Sequence, residues 1–374
     1  MVSLGRFYLE VHADDVAPGV ATGANPLMSF PGQSLRRLRC LCAPTFILPP
    51  LLYRNRPRSG LTRPTPPTSG PGMTLSASSR SCRVVDRLSD LAPLYDVALC
   101  DVWGVVHDGR RAFPAATDAL TRFREAGGTV VLLTNAPRPQ APVVHQLDGL
   151  GVPRSAYDRV VTSGDATVAL IAARGSEPAF HIGPPRDLAL LDEVRRTTGE
   201  TPRLVGLDDA GFVLCTGLFD DTTETPDTYA ETLGSMRDRD LPMICANPDI
   251  VVHVGSRLIY CGGAIAERYA AMGGRVLYAG KPHRPIYDVA LAAAAVLRDG
   301  SPVDRTRVLA IGDGLKTDVE GAAGQHLDCL FVSTGIHRDE TLAADGRTID
   351  QAGLDALLAA AGAAPTAAIT HLVW

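Results

Sequence analysis

The residues of this chain that could do chemistry fall in four short stretches. Asp101 follows the apolar run VALC at 97–100, which reads as a short buried strand, and Gly104 and Gly109 break regular structure just after it. The carboxylate therefore belongs at the mouth of a sheet, where open α/β sheets keep their chemistry. Thr134 and Asn135 close a second apolar run, TVVLLTNAP, in the same way. Lys281 stands in AGKPHRP between a strand and a helix, with a proline that helps start the helix. Asp313 and Asp318 stand in LAIGDGLKTDVEGA at the end of a third strand. Taken singly, these are helix caps, a solvated lysine and turn-forming aspartates. Taken together, they put a hydroxyl, an amine and three carboxylates at strand ends of one predicted sheet, the set that magnesium-assisted phosphoryl chemistry requires.

The elements that must hold these groups follow from the hydrophobic pattern. AATDALTRFREAGG spaces Leu120, Phe123 and Ala126 along one helical face and stops at Gly127 and Gly128. TVVLLTNAP is apolar almost throughout, as a parallel strand covered on both faces must be. The pattern then predicts a helix over 141–150, the strand RVVTSG, a helix over 165–174 and the strand AFHIG. FVLCTG and PMICAN read as strands, with a helix over 228–239 between them. VLYAGKP is expected to resume the first sheet, followed by a helix over 286–297, the strand RVLAIGDG, another helix, the strand CLFVSTG and an alanine-rich closing helix, GLDALLAAAGAAP. Such alternation predicts an α/β fold, a doubly wound parallel sheet with a smaller α/β domain inserted into it. The core is expected over 84–175 and 275–374, and the inserted domain over 176–274.

At the chemistry-bearing residues the chain resembles the haloacid dehalogenase superfamily, in the branch of sugar- and nucleotide-phosphatase-like members with an α/β cap. DVWGVVHDG, LLTNAP, AGKPHRPIYD and IGDGLKTDVEG resemble its four motifs in order and separation, and ICANPD resembles its cap-to-core stretch. The resemblance implies a Rossmann-like core, a cap inserted between the second and third motifs, and Mg²⁺ as cofactor. It further implies that Asp101 attacks phosphorus to form an aspartyl-phosphate, and that Asp101, Asp313 and the backbone carbonyl of Trp103 ligate Mg²⁺, with Asp318 ordering metal-bound water. Thr134, Asn135 and Lys281 would bind the phosphoryl group, and Thr134 and Lys281 would offset charge in the transition state.

Trp103 departs from the pattern of that superfamily, whose phosphatases usually carry a second aspartate two residues after the nucleophile as general acid and base. Indole has no proton to exchange near neutral pH. Three accounts follow: a substrate whose leaving group needs no proton, a substitute acid such as His107 or Asp108, or a weakly active or non-catalytic protein that binds phosphorylated metabolites. A dehalogenase ranks below the phosphatase, because Lys281, Thr134 and the metal-type aspartates suit phosphate better than a neutral haloalkyl acid.

Composition narrows the setting. The 374 residues carry a formal charge of -5 and a sequence pI near 6.0, with no basic surplus to drive nucleic-acid binding. The expected partner is a small phosphorylated metabolite, and self-association is left open. Residues 1–83 are rich in Pro, Arg, Ser and Gly, with no acidic residue between Asp15 and Asp86, and are expected to be a disordered or spurious extension ahead of a start near Met73. Their longest apolar piece, CAPTFILPPLLY, is broken by prolines and too short to span a bilayer, so no membrane association is expected. Eight cysteines without CxxC or Cys/His ligand spacing argue against zinc and for a reducing, cytoplasmic location.

Overall fold

The computed structural model describes residues 81–374 apart from 255–256; the extension expected over 1–83 lies, up to residue 80, outside the described residues. The chain enters β1 (Val97–Asp101) and continues through α1 (Pro114–Glu125), β2 (Thr129–Thr134), α2 (Gln140–Gly149), β3 (Arg159–Thr162) and α3 (Ser163–Ala172). A second run comprises β4 (Ala179–Ile182), α4 (Ala189–Thr198), β5 (Phe212–Cys215), α5 (Ala230–Asp238) and β6 (Met243–Cys245). It goes on through the hairpin β7 (Val251–Val254) and β8 (Arg257–Tyr260), then α6 (Gly262–Ala271) and β9 (Val276–Tyr278). The last run is α7 (Arg284–Leu297), β10 (Val308–Gly312), α8 (Glu320–Gly324), β11 (Asp328–Val332), α9 (Arg338–Thr341), α10 (Gln351–Ala361) and β12 (Ala367–Ile369).

Six strands form a parallel sheet in the order β12-β11-β10-β1-β2-β3. From β1 the order runs outward both ways, so connections leave on opposite faces and a crevice opens beyond the carboxyl ends of β1 and β10. Cys100 is in register with Ile311, so Asp101, which ends β1, and Asp313, which follows β10, emerge side by side. Both faces of β1 are covered. Val97 and Leu99 pack with Val131, Leu133, Ile286 and Phe331, whereas Ala98 and Cys100 pack with Leu120, Phe123, Leu132 and Leu330. Alternating side chains take opposite faces, so a strand covered on both sides must be apolar throughout. Each fully buried Leu, Ile or Phe contributes about 1.5–3 kcal/mol, and that anchoring fixes where the polar strand ends project.

The second sheet is parallel too, in the order β4-β5-β6-β9. Its membership corrects one expectation. The strand in VLYAGKP does not resume the first sheet: Met243, Ile244 and Cys245 pair with Val276, Leu277 and Tyr278, so the inserted sheet runs past residue 274. A short apolar run before Gly-Lys-Pro looks the same in either sheet, because periodicity reports burial and not the pairing partner. The chain returns to the first sheet through α7, which packs on β2 and β3. The pattern also missed α4, α6, the β7–β8 hairpin and β12. Two of the three residues of β12 are alanines, which have low intrinsic strand preference, and the strand is held by pairing with β11.

Candidate active site

Four of the expected residues meet at the crevice. Lys281 Nζ donates to Asp101 Oδ1 at 2.5 Å and to Asp318 Oδ1 at 2.7 Å. One carboxylate oxygen from each of Asp101, Asp313 and Asp318 lies within 4.8 Å of the others, and all four residues are buried. Asp318 sits on a single π-helical turn, Leu315–Val319, whose widened bonding brings Val319 N–H to the carbonyl of Gly314 at 3.1 Å; turns of this kind gather at functional sites. Its other oxygen accepts from Gly314 N–H and from the Thr317 hydroxyl, each at 3.1 Å. Asp313 Oδ2 accepts from Ile336 N–H at 2.8 Å. Two glycines wall this carboxylate: a Cβ at Gly104, whose φ is +81°, would come within 2.3 Å of Asp313 Oδ2, and one at Gly335 within 1.9 Å. No other residue lets backbone approach so closely.

Three carboxylates thus face one ammonium away from water. Burial raises the Asp101 carboxyl well above its ordinary range, and the neighbouring Asp318 and Asp313 charges add to the effect of burial, against Lys281. Asp313 is pushed up to about 6, first by burial and then by Asp318. Burial works against the Lys281 charge, but Asp101 and Asp318 together outweigh it and hold the amine protonated. The cluster carries surplus negative charge that the lysine alone does not neutralise. Its donors are all hard oxygens at metal-ligand spacing, so a divalent cation fits the site.

Lys281 is aimed from behind. Its backbone N–H donates to Asn135 Oδ1 at 2.7 Å, and its carbonyl accepts from Asn135 Nδ2 at 3.1 Å. The same Nδ2 donates to Asp249 Oδ1 at 2.8 Å, and burial raises the Asp249 carboxyl. The Asn135 side chain is therefore engaged by Lys281 and by a residue that follows β6. Asp249 lies in ICANPD, the stretch resembling a cap-to-core connection, and that wording was its only signal. Thr134 ends β2 one residue beyond Leu133, which pairs with Asp101, and its hydroxyl accepts from Ala136 N–H at 3.3 Å. Nothing in the sequence marks Gly335 or Ile336, which chain topology alone brings to Asp313.

Trp103 is 38 % exposed. Its ring makes an edge contact with His107, centroids 5.2 Å apart. His107 is buried; its Nδ1 accepts from Gly109 N–H at 3.0 Å, and burial lowers its basicity. Asp108 accepts from the N–H groups of Arg110 and Arg111, both at 2.9 Å. Those bonds hold its carboxyl below the ordinary range.

Comparison with known proteins points the same way as the geometry. The family profile described as haloacid dehalogenase-like hydrolase matches residues 98–195, and a second, HAD-hydrolase-like profile matches 278–368. A solved hydrolase of the haloacid dehalogenase-like family from Brucella suis 1330 is 50% identical, with a TM-score of 0.66, covering 78% of this chain and 100% of that one. The 4-nitrophenylphosphatase of Schizosaccharomyces pombe is 22% identical over 268 residues, 66% of this chain and 87% of the relative. A solved glycerol phosphate phosphatase from Mycobacterium tuberculosis, in complex with calcium, is 25% identical with a TM-score of 0.52, covering 71% of this chain and 76% of that one. With half the sequence shared with a hydrolase of this fold along that protein's whole length, and both halves of the six-stranded sheet matched, the chain belongs to the haloacid dehalogenase-like hydrolases.

Proposed function

We propose that this hydrolase is a Mg²⁺-dependent phosphatase of a small phosphorylated metabolite, working through an aspartyl-phosphate on Asp101. The observation that carries this reading is the buried Lys281 ammonium shared between Asp101 and Asp318, beside Asp313. Phosphatase relatives, one of them crystallised with calcium, support it. Asp101, Asp313 and Asp318, with the backbone carbonyl of Trp103, would hold the cation. When bound, Mg²⁺ supplies positive charge that draws the phosphoryl group to the acidic cluster and keeps Asp101 ionised.

The chain's own residues do the rest. One Asp101 oxygen attacks phosphorus, converting one difficult displacement into two easier ones. Lys281 and Thr134 hold the phosphoryl oxygens, and their donors strengthen as charge builds there. The backbone beyond Thr134, at Asn135, offers a further N–H to the phosphoryl group, while the Asn135 side chain keeps Lys281 in place. The inserted sheet serves as a cap over the substrate. The buried free cysteines Cys100, Cys215, Cys245, Cys261 and Cys329 suit a reducing compartment, in keeping with a cytoplasmic location; among the described residues no helix is long and apolar enough to cross a membrane.

The test is phosphate release from a panel of sugar phosphates, nucleotides, glycerol phosphates and aryl phosphates, with Mg²⁺ and then with EDTA. Wild-type protein is expected to release phosphate only with the cation. Asp101→Asn, which keeps shape but loses the attacking charge, is expected to lower the rate at least about 10³-fold in a protein that still folds, as read by circular dichroism. Near-normal turnover in that variant would rule out the covalent route.

A further inference from the structure

The loop that follows the proposed nucleophile carries Trp103 at the position where the resemblance noted above implies a proton donor. Its two titratable side chains other than the exposed arginines both accept hydrogen bonds from within the loop itself. Asp108 is turned into the bend at 108–111 and caps the N–H groups of Arg110 and Arg111. His107 is buried, accepts from Gly109 N–H and stands edge-on to the Trp103 ring.

Trp103 itself is braced. A Cβ at Gly109 would meet its ring at 2.4 Å, so the glycine lets the outer edge of the indole approach the backbone. His107 supports its edge, and part of the side chain remains open to solvent. The next residue, Gly104, abuts Asp313 Oδ2, and the same oxygen accepts from the N–H of Ile336, which is 57 % exposed. An exposed indole and an exposed branched aliphatic side chain thus belong to two loops whose backbones, at Gly104 and Ile336, close on Asp313.

We propose that Trp103, with Ile336, selects phosphate esters whose leaving group is planar and weakly basic: aryl, enol or acyl phosphates rather than alkyl ones. The inference rests on the phosphatase reading given above and names its substrate class. In the first step the bond from Asp101 Oδ to phosphorus forms as the bond from phosphorus to the leaving oxygen breaks. The electron pair of that bond stays on the leaving oxygen, which departs as an aryloxide, enolate or carboxylate without taking a proton from the loop. Water then cleaves the aspartyl-phosphate, returning the Asp101 carboxylate and inorganic phosphate, and the proton released passes to solvent. An indole face stacks on a planar leaving group, and a leaving group that needs no general acid forgoes the roughly 10²- to 10⁴-fold such an acid supplies.

The experiment is the dependence of kcat/KM on leaving-group pKa for the full chain with Mg²⁺, across substituted phenyl phosphates, an enol phosphate, an acyl phosphate and alkyl phosphates. Because kcat/KM reports the first irreversible step, it reads bond cleavage even where the second step limits turnover. A fall of roughly tenfold or more for every two units of leaving-group pKa is expected. Trp103→Ala, checked for an unchanged melting temperature, is expected to raise KM for aryl esters about tenfold while leaving the slope steep, and Trp103→Phe to restore most of the affinity. A flat slope with alkyl esters as good as aryl ones would overturn the inference and leave the phosphatase standing. An aryl KM unmoved in Trp103→Ala would overturn the role of the indole. No Mg²⁺-dependent phosphate release from any ester would bring down both readings.

Discussion

Asn135 is a single amide that makes three bonds, two to the backbone of Lys281 and one to Asp249. Asn135→Ala leaves the Lys281 N–H and the Asp249 carboxyl without partners in a buried place, at a cost of about 1–3 kcal/mol for each group. Asn135→Asp is worse in a specific way, since it replaces the donor facing Asp249 with a second carboxylate. Both variants are expected to lower kcat/KM by about 10- to 100-fold through a displaced lysine, Asn135→Asp by more as pH rises. A rate profile over pH, read beside the melting temperature, separates this from simple loss of stability. An Asn135→Asp enzyme no slower than Asn135→Ala at alkaline pH would contradict the arrangement.

Between residue and fold stand the turns that close around Asp313. The segment after β11 brings Gly335 and Ile336 to its carboxylate, so Gly335→Ala must push that carboxylate aside by more than an ångström or distort the turn. The expected result is a Mg²⁺ requirement raised about tenfold or more with little change in activity at saturating cation, measured by titrating the metal. An unshifted requirement would show that the turn yields instead. This scale also marks where sequence reading ends. Asp101, Thr134 and Asp313 were legible because each stands where an apolar run stops, and Lys281 because Gly-Lys-Pro interrupts strand and helix. Gly335 and Asp249 carry no such local mark; they reach the site only because β11 lies beside β10 and because the inserted sheet hands its β6 connection to Asn135. For the same reason β9 could be recognised as a strand but not assigned to its sheet.

At the scale of the whole molecule, the acidic cluster couples stability to pH and to the cation. Asp313, with its carboxyl raised to about 6 in the fold against roughly 3.9 in an unfolded chain, contributes stability that is fully present below about pH 4 and is lost as pH rises through about 6. The raised Asp101 carboxyl acts in the same direction. Cation-free protein is therefore expected to lose stability from this cluster between about pH 4 and 7, while Mg²⁺, if it takes the ionised carboxylates as proposed, should raise the melting temperature by several degrees at pH 7.5 and hardly at pH 5. Calorimetry with and without EDTA at both values decides it, and an equal gain at pH 5 would contradict the assignment of Asp313 to the cation. The strand order carries one last consequence, for the moment at which the protein becomes functional. β1 lies in the middle of its sheet yet pairs with β10, and Lys281 is 180 positions from Asp101. During synthesis the smaller sheet, contiguous from β4 to β9, can close while β1 still waits for its second neighbour. No nascent chain that stops short of the turn after β10 holds more than one of the three carboxylates proposed to hold the cation. Under the proposed mechanism, connectivity alone thus delays the chemistry until β10 and the turn after it have been made.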